Sequence, residues 1–166
     1  MPHGLFKLPQ VQPQREIAML KSLRIAAIAA ALSAAGALAE SNTPPPDIGS
    51  DPNFIAAKKA IAAKQWDKAL YSLKYVKAED AEVYNLTGYA SRKVGKMDDA
   101  FRNYKIALQM NPNHRGAHEY VGEAYLITNN PAMAEEHLAA LERICGKNCE
   151  EYKDLAREIA EYKKKN

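Results

Sequence analysis

Two stretches of this chain superpose on each other after a shift of 34 residues, and this internal period constrains the fold more than any other feature. Under the shift, Gly88 coincides with Gly122 and Ala100 with Ala134. Each stretch contains two segments in which apolar residues recur every three or four positions, which is the spacing of one face of an α-helix. A helix pair that recurs at a fixed period cannot bury its apolar face alone, so it stacks on its neighbours. The period therefore predicts an array of stacked helix pairs.

The apolar spacing predicts seven helices and no strand after residue 52. Gly95 and Pro112 fall between predicted helices, because Gly favours turns and Pro cannot continue a helix, and Pro131 stands at the start of the next predicted helix. The predicted helices span residues 53–64, 66–77, 81–94, 97–110, 115–128, 131–144 and 150–163. The fold class predicted from this order is all-α.

A 34-residue unit of two helices resembles the tetratricopeptide repeat (TPR). The strongest unit runs from Tyr84 to Asn113, whereas no Pro closes the first helix pair. The resemblance implies antiparallel helix pairs stacked as a short right-handed α–α superhelix. About three TPR-like pairs would occupy residues 53–149, and a capping helix with a basic tail would occupy residues 150–166. The residues at the packing positions of the repeat are Gly88, Ala100, Tyr104, Ala107, Pro112, Gly122 and Ala134.

The resemblance also implies a binding face, because the family binds partners on a concave surface lined by the first helix of each pair. The outward-facing candidates for partner binding are Asn85, Tyr89, Arg92, Lys93, Glu119, Glu123 and Leu126. One half of this groove would be basic and the other acidic, which suits an extended peptide or a partner helix more than a small molecule. The alternative is a structural protein that self-associates, for example as a homodimer, and has no groove function.

The sequence contains no recognisable pattern of a catalytic, metal or cofactor site. It lacks a Gly-rich phosphate loop and a nucleophile motif. His114 and His118 lie four residues apart, but they do not form the His-Glu-x-x-His pattern of a zinc protease. We therefore expect a protein that is not an enzyme and that binds neither a metal nor another cofactor.

Net charge argues against nucleic acid as a partner. The chain has 23 Lys and Arg against 20 Asp and Glu. Four of the basic residues and one of the acidic residues lie before residue 40, which leaves 19 of each sign in the rest. A neutral domain lacks the positive field that phosphate binding normally uses.

The N-terminal region has the order of a secretory signal peptide over residues 19–39. Lys21 and Arg24 precede an unbroken apolar run over residues 25–32, and small residues then lead to Ala39. This order predicts cleavage after Ala39 and a periplasmic or secreted protein without stable membrane insertion. An uncleaved anchor and a mitochondrial presequence are the alternatives. Residues 1–18 match none of these patterns, so we expect that translation starts at Met19.

Export would place the two cysteines in an oxidising compartment, where Cys145 and Cys149 are expected to form a disulfide. Their spacing differs from the Cys-x-x-Cys of redox catalysts, and a zinc site would need two more ligands. The disulfide would connect the sixth helix to a capping helix that covers the array with one face and meets water with the other. At the opposite end, residues 40–52 are rich in Pro and predict an extended linker.

Overall fold

The computed structural model describes residues 47–166 of the chain. The predicted upstream segment, the signal peptide and residues 40–46 of the linker lie outside this range. Within it, every regular element is helical and no strand occurs. The seven α-helices are α1 (Pro52–Ala62), α2 (Trp66–Leu73), α3 (Ala81–Lys93), α4 (Met97–Met110), α5 (Arg115–Ile127), α6 (Pro131–Cys145) and α7 (Glu150–Lys165). The all-α prediction is confirmed.

Local sequence explains where most of these helices begin. The Asp51 carboxylate accepts hydrogen bonds from the amides of residues 53 and 54, and Asp80 caps α3 in the same way. The Asn130 side chain caps α6, and Pro52 and Pro131 occupy first positions at which no amide proton is required. These caps satisfy amides that would otherwise lack partners, so they fix the register of each helix.

Two predicted boundaries were wrong, and long-range hydrogen bonds explain the first. The second helix was predicted to continue to residue 77, but α2 ends at Leu73. The Lys77 amide donates to Asp51 Oδ2 at 3.2 Å, and Asn53 Nδ2 donates to the Tyr75 carbonyl at 3.0 Å. Contacts with the start of α1 therefore hold residues 75–77 outside the helix.

The second correction concerns the end of the predicted linker. Residues Ile48–Ser50 form a short 3-10 turn that is capped by Asp47. Ile48 packs against the apolar cluster formed by α1, α2 and α3. This apolar contact explains why the last residues before α1 are folded rather than extended.

The helices associate as adjacent pairs. Three residues connect α1 to α2, α3 to α4, and α5 to α6, so the helices of each pair must run antiparallel to lie side by side. Each pair also packs on the next, and α7 packs against both α5 and α6. The buried apolar residues form successive clusters along the array, including Phe54, Leu73 and Leu86 at one end and Leu141, Leu155 and Ile159 at the other.

Small residues allow the close approaches between helices. Ala100, Ala107 and Ala134 are fully buried. A Cβ atom added to Gly88 would lie 2.6 Å from the Tyr104 ring, and one added to Gly122 would lie 2.6 Å from Leu155 Cδ2. Real Cβ atoms do not lie this close to another atom, so any larger residue at either position would displace a fully buried side chain. Pro112, the remaining residue of the predicted packing set, lies exposed in the turn after α4.

Cys145 and Cys149 form a disulfide at the connection between α6 and α7, as predicted. Gly146 begins this connection with φ of 76°, a conformation that glycine adopts without strain. The helices of residues 47–166 all lack the combination of length and apolar character that crossing a bilayer requires.

Candidate functional site

The first helices of successive units, α3 and α5, form one face together with α7. Helix α5 starts 34 residues after α3, and α7 starts 35 residues after α5. Because α7 packs on α5, it occupies the position of the first helix of a further unit. We call the surface formed by α3, α5 and α7 the inner face.

A cavity of about 560 Å³ opens on the inner face, and its lining is predominantly acidic. The basic residues in the lining are His114 and Arg115. His114 Nε2 lies 3.0 Å from Glu82 Oε2, and Arg115 Nε lies 3.4 Å from Glu151 Oε1. The carboxylates that line the cavity are Glu82, Glu119, Glu150, Glu151 and Asp154. Arg157, which lies outside the lining, also pairs with Asp154 at 2.8 Å. Acidic side chains still outnumber the basic ones, so the cavity has a negative potential.

Glu119 is the carboxyl group that this environment affects most. Burial raises its pKa to about 8, and the negative charges of Glu123, Asp154 and Glu151 add to the effect, while Arg92 opposes it. At neutral pH the free protein therefore keeps a proton on Glu119 for much of the time.

Asn85 lies on the α3 side of the cavity and is 2% exposed. Its Nδ2 donates to Glu82 Oε2 at 2.9 Å. Its Oδ1 has no hydrogen-bond partner among residues 47–166. A buried acceptor without a partner costs free energy, and Asn85 is one of the residues that line the cavity.

A row of aromatic rings continues the inner face next to the cavity. The Tyr89 and Tyr120 ring centroids are 4.7 Å apart, and the Trp66 and Tyr89 centroids are 5.7 Å apart in an edge-to-face arrangement. Tyr120 also lines the cavity, so the row and the cavity form a continuous groove. Such rings offer apolar area and can contact cations through their faces.

The ion pair between Arg92 and Glu123 corrects the expected division into a basic and an acidic half. Arg92 Nη1 lies 2.5 Å from Glu123 Oε2, and the Arg92 side chain is 4% exposed. The guanidinium also contacts the rings of Tyr89 and Tyr120, with its carbon 5.4 and 5.8 Å from their centroids. Arg92 is therefore neutralised and covered, and it does not offer a free positive charge to a partner.

The other predicted partner-binding residues divide between the groove and the core. Tyr89 and Glu119 lie in the groove, and Lys93 is exposed with its ammonium 5.2 Å from the Tyr89 centroid. Leu126, which was expected to face outward, is instead buried with Leu141 and Leu155. The physical reason is α7, which packs on α5 and covers this position.

Sequence reasoning missed several groove residues. Tyr120 was not selected, and Glu151 and Asp154 lie on the helix that was predicted to be only a cap. Applying the repeat period once more, from α5 to α7, would have placed the first turns of α7 on the inner face.

Two histidines meet outside the groove, between α5 and α6. His118 Nδ1 and His137 Nδ1 are 2.9 Å apart, and His118 Nε2 lies 3.0 Å from the Pro112 carbonyl oxygen. Because a carbonyl only accepts, His118 donates through Nε2 and accepts from His137 Nδ1. Burial lowers the pKa of both residues, and that of His137 falls to about 4.

The described residues bring together one group of three side chains with metal-ligating atoms, Cys145, Cys149 and Glu151. Its two sulfur atoms are already joined in the disulfide, so neither is available as a thiolate ligand.

Comparisons with known proteins show what this geometry is similar to. No protein-family profile matches the chain, and no curated protein matches it. The solved structure of the TPR2B domain of yeast Sti1 in complex with pHsp70 matches with a TM-score of 0.62 and 18% identity, covering 69% of this chain and 95% of that chain. The chain therefore has a TPR-type fold, and the resemblance inferred from the 34-residue period is confirmed at the level of the fold.

Proposed function

We propose that this protein is a non-enzymatic interaction module that binds a peptide or a partner helix along its inner face. The observation that carries the proposal is the groove itself, in which the row of Trp66, Tyr89 and Tyr120 continues into an open cavity. Aromatic side chains are the residues that most often anchor protein partners. The similar TPR2B domain of yeast Sti1, solved in complex with pHsp70, supports the view that this fold can hold a protein partner.

We further propose that the module works in the bacterial periplasm after cleavage behind Ala39. The basic, apolar and small-residue order of residues 19–39 supports export. The Cys145–Cys149 disulfide is compatible with an oxidising compartment. N-terminal sequencing of the exported protein tests this part, and Glu40 is the expected first residue. A cytosolic chain that begins at Met1 or Met19 would contradict it.

Site-specific photo-crosslinking in the native host tests the binding function. A photoreactive amino acid would replace Lys93, which is exposed on the inner face, or Lys105, which is exposed on α4 and serves as the matched control. We expect an adduct with another protein from position 93 and none from position 105. Equal adducts from both positions would contradict binding in the groove.

The alternative, a self-associating structural protein, gives a different result in the same experiment. It predicts an adduct of twice the mass of this chain, together with sedimentation that depends on protein concentration. Ile127 and Tyr71, which are 60% and 67% exposed, are apolar or aromatic side chains that such an association could cover.

A further inference from the structure

We propose that the cavity between α3, α5 and α7 binds a cationic side chain, a lysine ammonium or an arginine guanidinium, of the peptide in the groove. This inference rests on the proposed function and names the chemistry of the partner.

Acidic side chains outnumber basic ones in the cavity lining, which also carries the amide groups of three asparagines. Glu82 and Glu151 are paired with the basic residues of the lining, and Asp154 is paired with Arg157 at 2.8 Å. Glu119 and Glu150 therefore have no basic partner among residues 47–166. Independently of the charges, the buried Asn85 Oδ1 has no partner among the described residues. A ligand that satisfies this oxygen must be a hydrogen-bond donor, and an ammonium or guanidinium carries donors only.

Size argues against a bare metal ion as the occupant. A divalent cation needs several oxygen ligands within a few ångströms of one another. Within residues 47–166, the group that meets this condition contains the two disulfide sulfurs, and the cavity carboxylates do not form such a group. A volume of about 560 Å³ instead suits an organic group that keeps part of its hydration water.

The aromatic row gives the rest of the peptide a place to lie. Tyr120 belongs to both the cavity wall and the row. When a basic side chain of the peptide occupies the cavity, neighbouring residues of the peptide can therefore lie over Tyr89.

Binding of a cation in the cavity is expected to be coupled to the loss of a proton from Glu119. Its pKa of about 8 in the free protein reflects burial and then the charges of Glu123, Asp154 and Glu151, which the Arg92 charge only partly offsets. A bound cation favours the ionised carboxylate, so binding below pH 8 must expel the proton from Glu119. Affinity is therefore expected to rise as the pH increases from 6 to 8.

Selection of peptides from a random display library on the purified protein tests the inference. We expect the selected peptides to contain a Lys or Arg whose replacement by a neutral isostere, norleucine or citrulline, weakens binding at least about tenfold. Glu119→Gln combined with Asp154→Asn should cause a similar loss for the basic peptide and little change for its neutral analogue. The matched control is Glu158→Gln with Glu161→Gln, which removes two exposed charges of α7 outside the cavity lining.

The outcomes distinguish a failure of the cationic specificity from a failure of the proposed peptide binding. Peptides that bind without a basic residue, or equally well to the Glu119 and Asp154 double variant, would overturn the cationic specificity and leave the peptide-binding function in place. A library that gives no binding peptide would contradict both. If the double variant does not fold, Asp154→Asn alone provides the test, because this side chain is 31% exposed and a surface ion pair such as the one it forms with Arg157 contributes little to stability.

Discussion

Arg92 and Glu123 form an ion pair across α3 and α5, with 2.5 Å between the guanidinium and the carboxylate. The pair joins the first helices of two successive units beneath the Tyr89 and Tyr120 rings. It therefore contributes to the stacking of the units and to the positions of the two rings.

Replacement of Arg92 by Met should destabilise the protein. The change leaves Glu123 without its partner, and it should lower the free energy of unfolding by about 2–3 kcal/mol, measured by urea denaturation. Adding Glu123→Gln should restore part of the loss, because the unpaired charge is then removed. Unchanged stability of Arg92→Met would show that the pair does not hold the units together.

A second prediction concerns α7 as a member of the array. Gly122→Ala places a methyl group against the buried Leu155 side chain, at a distance where that side chain or one of the two helices must shift. The variant should lose about 1–3 kcal/mol of unfolding free energy, although alanine is the better helix former. In a Leu155→Ala background the same change should cost much less, since the space is then open. An additive result in the double variant would contradict direct packing of these two residues.

Local signals made the fold largely predictable. Asp51, Asp80 and Pro131 mark helix starts through interactions with neighbouring residues, so the sequence shows them directly. The end of α2 was not predictable in this way, because hydrogen bonds to residues 51 and 53 hold residues 75–77 outside the helix.

The site was predictable only in part, for a related reason. The repeat period selects the helices and the faces that form the groove, and it identified Tyr89 and Glu119. It does not reveal whether two charged side chains on one face meet each other, as Arg92 and Glu123 do. It also could not reveal the cover over Leu126 while α7 was interpreted only as a terminal cap.

A third prediction concerns acid pH and the pair formed by His118 and His137. Both have a lowered pKa in the folded protein, so the unfolded chain binds more protons as the pH falls below 6.5. Their contribution to stability is present above pH 6.5 and is lost as the pH falls toward 4, by at most about 1.4 kcal/mol per pH unit for each histidine.

His137→Gln isolates this contribution, because other groups also titrate in this range. The difference in unfolding free energy between the variant and the original protein should change between pH 7 and pH 5 and should be constant above pH 7. A difference that stays constant across the whole range would contradict the lowered pKa of His137. Arg143 and His114 also lower the pKa of His118, and both residues are unchanged in the variant and in the original protein.

The last prediction concerns the Cys145–Cys149 disulfide and α7. The bond closes the connection between α6 and α7, and α7 buries Leu155 and Ile159 against the last helix pair. Closing a ring of this length restricts the unfolded chain by about 2 kcal/mol in the chain-entropy model. Reduction, or Cys145→Ala with Cys149→Ala, should therefore lower the free energy of unfolding by about 2 kcal/mol without unfolding the array.

Amide hydrogen exchange should accelerate first in α7, since α7 is the terminal element and then has only its packing to hold it. Two titratable thiols in protein purified without a reductant, or an unchanged melting temperature after reduction, would contradict a structural role for this bond.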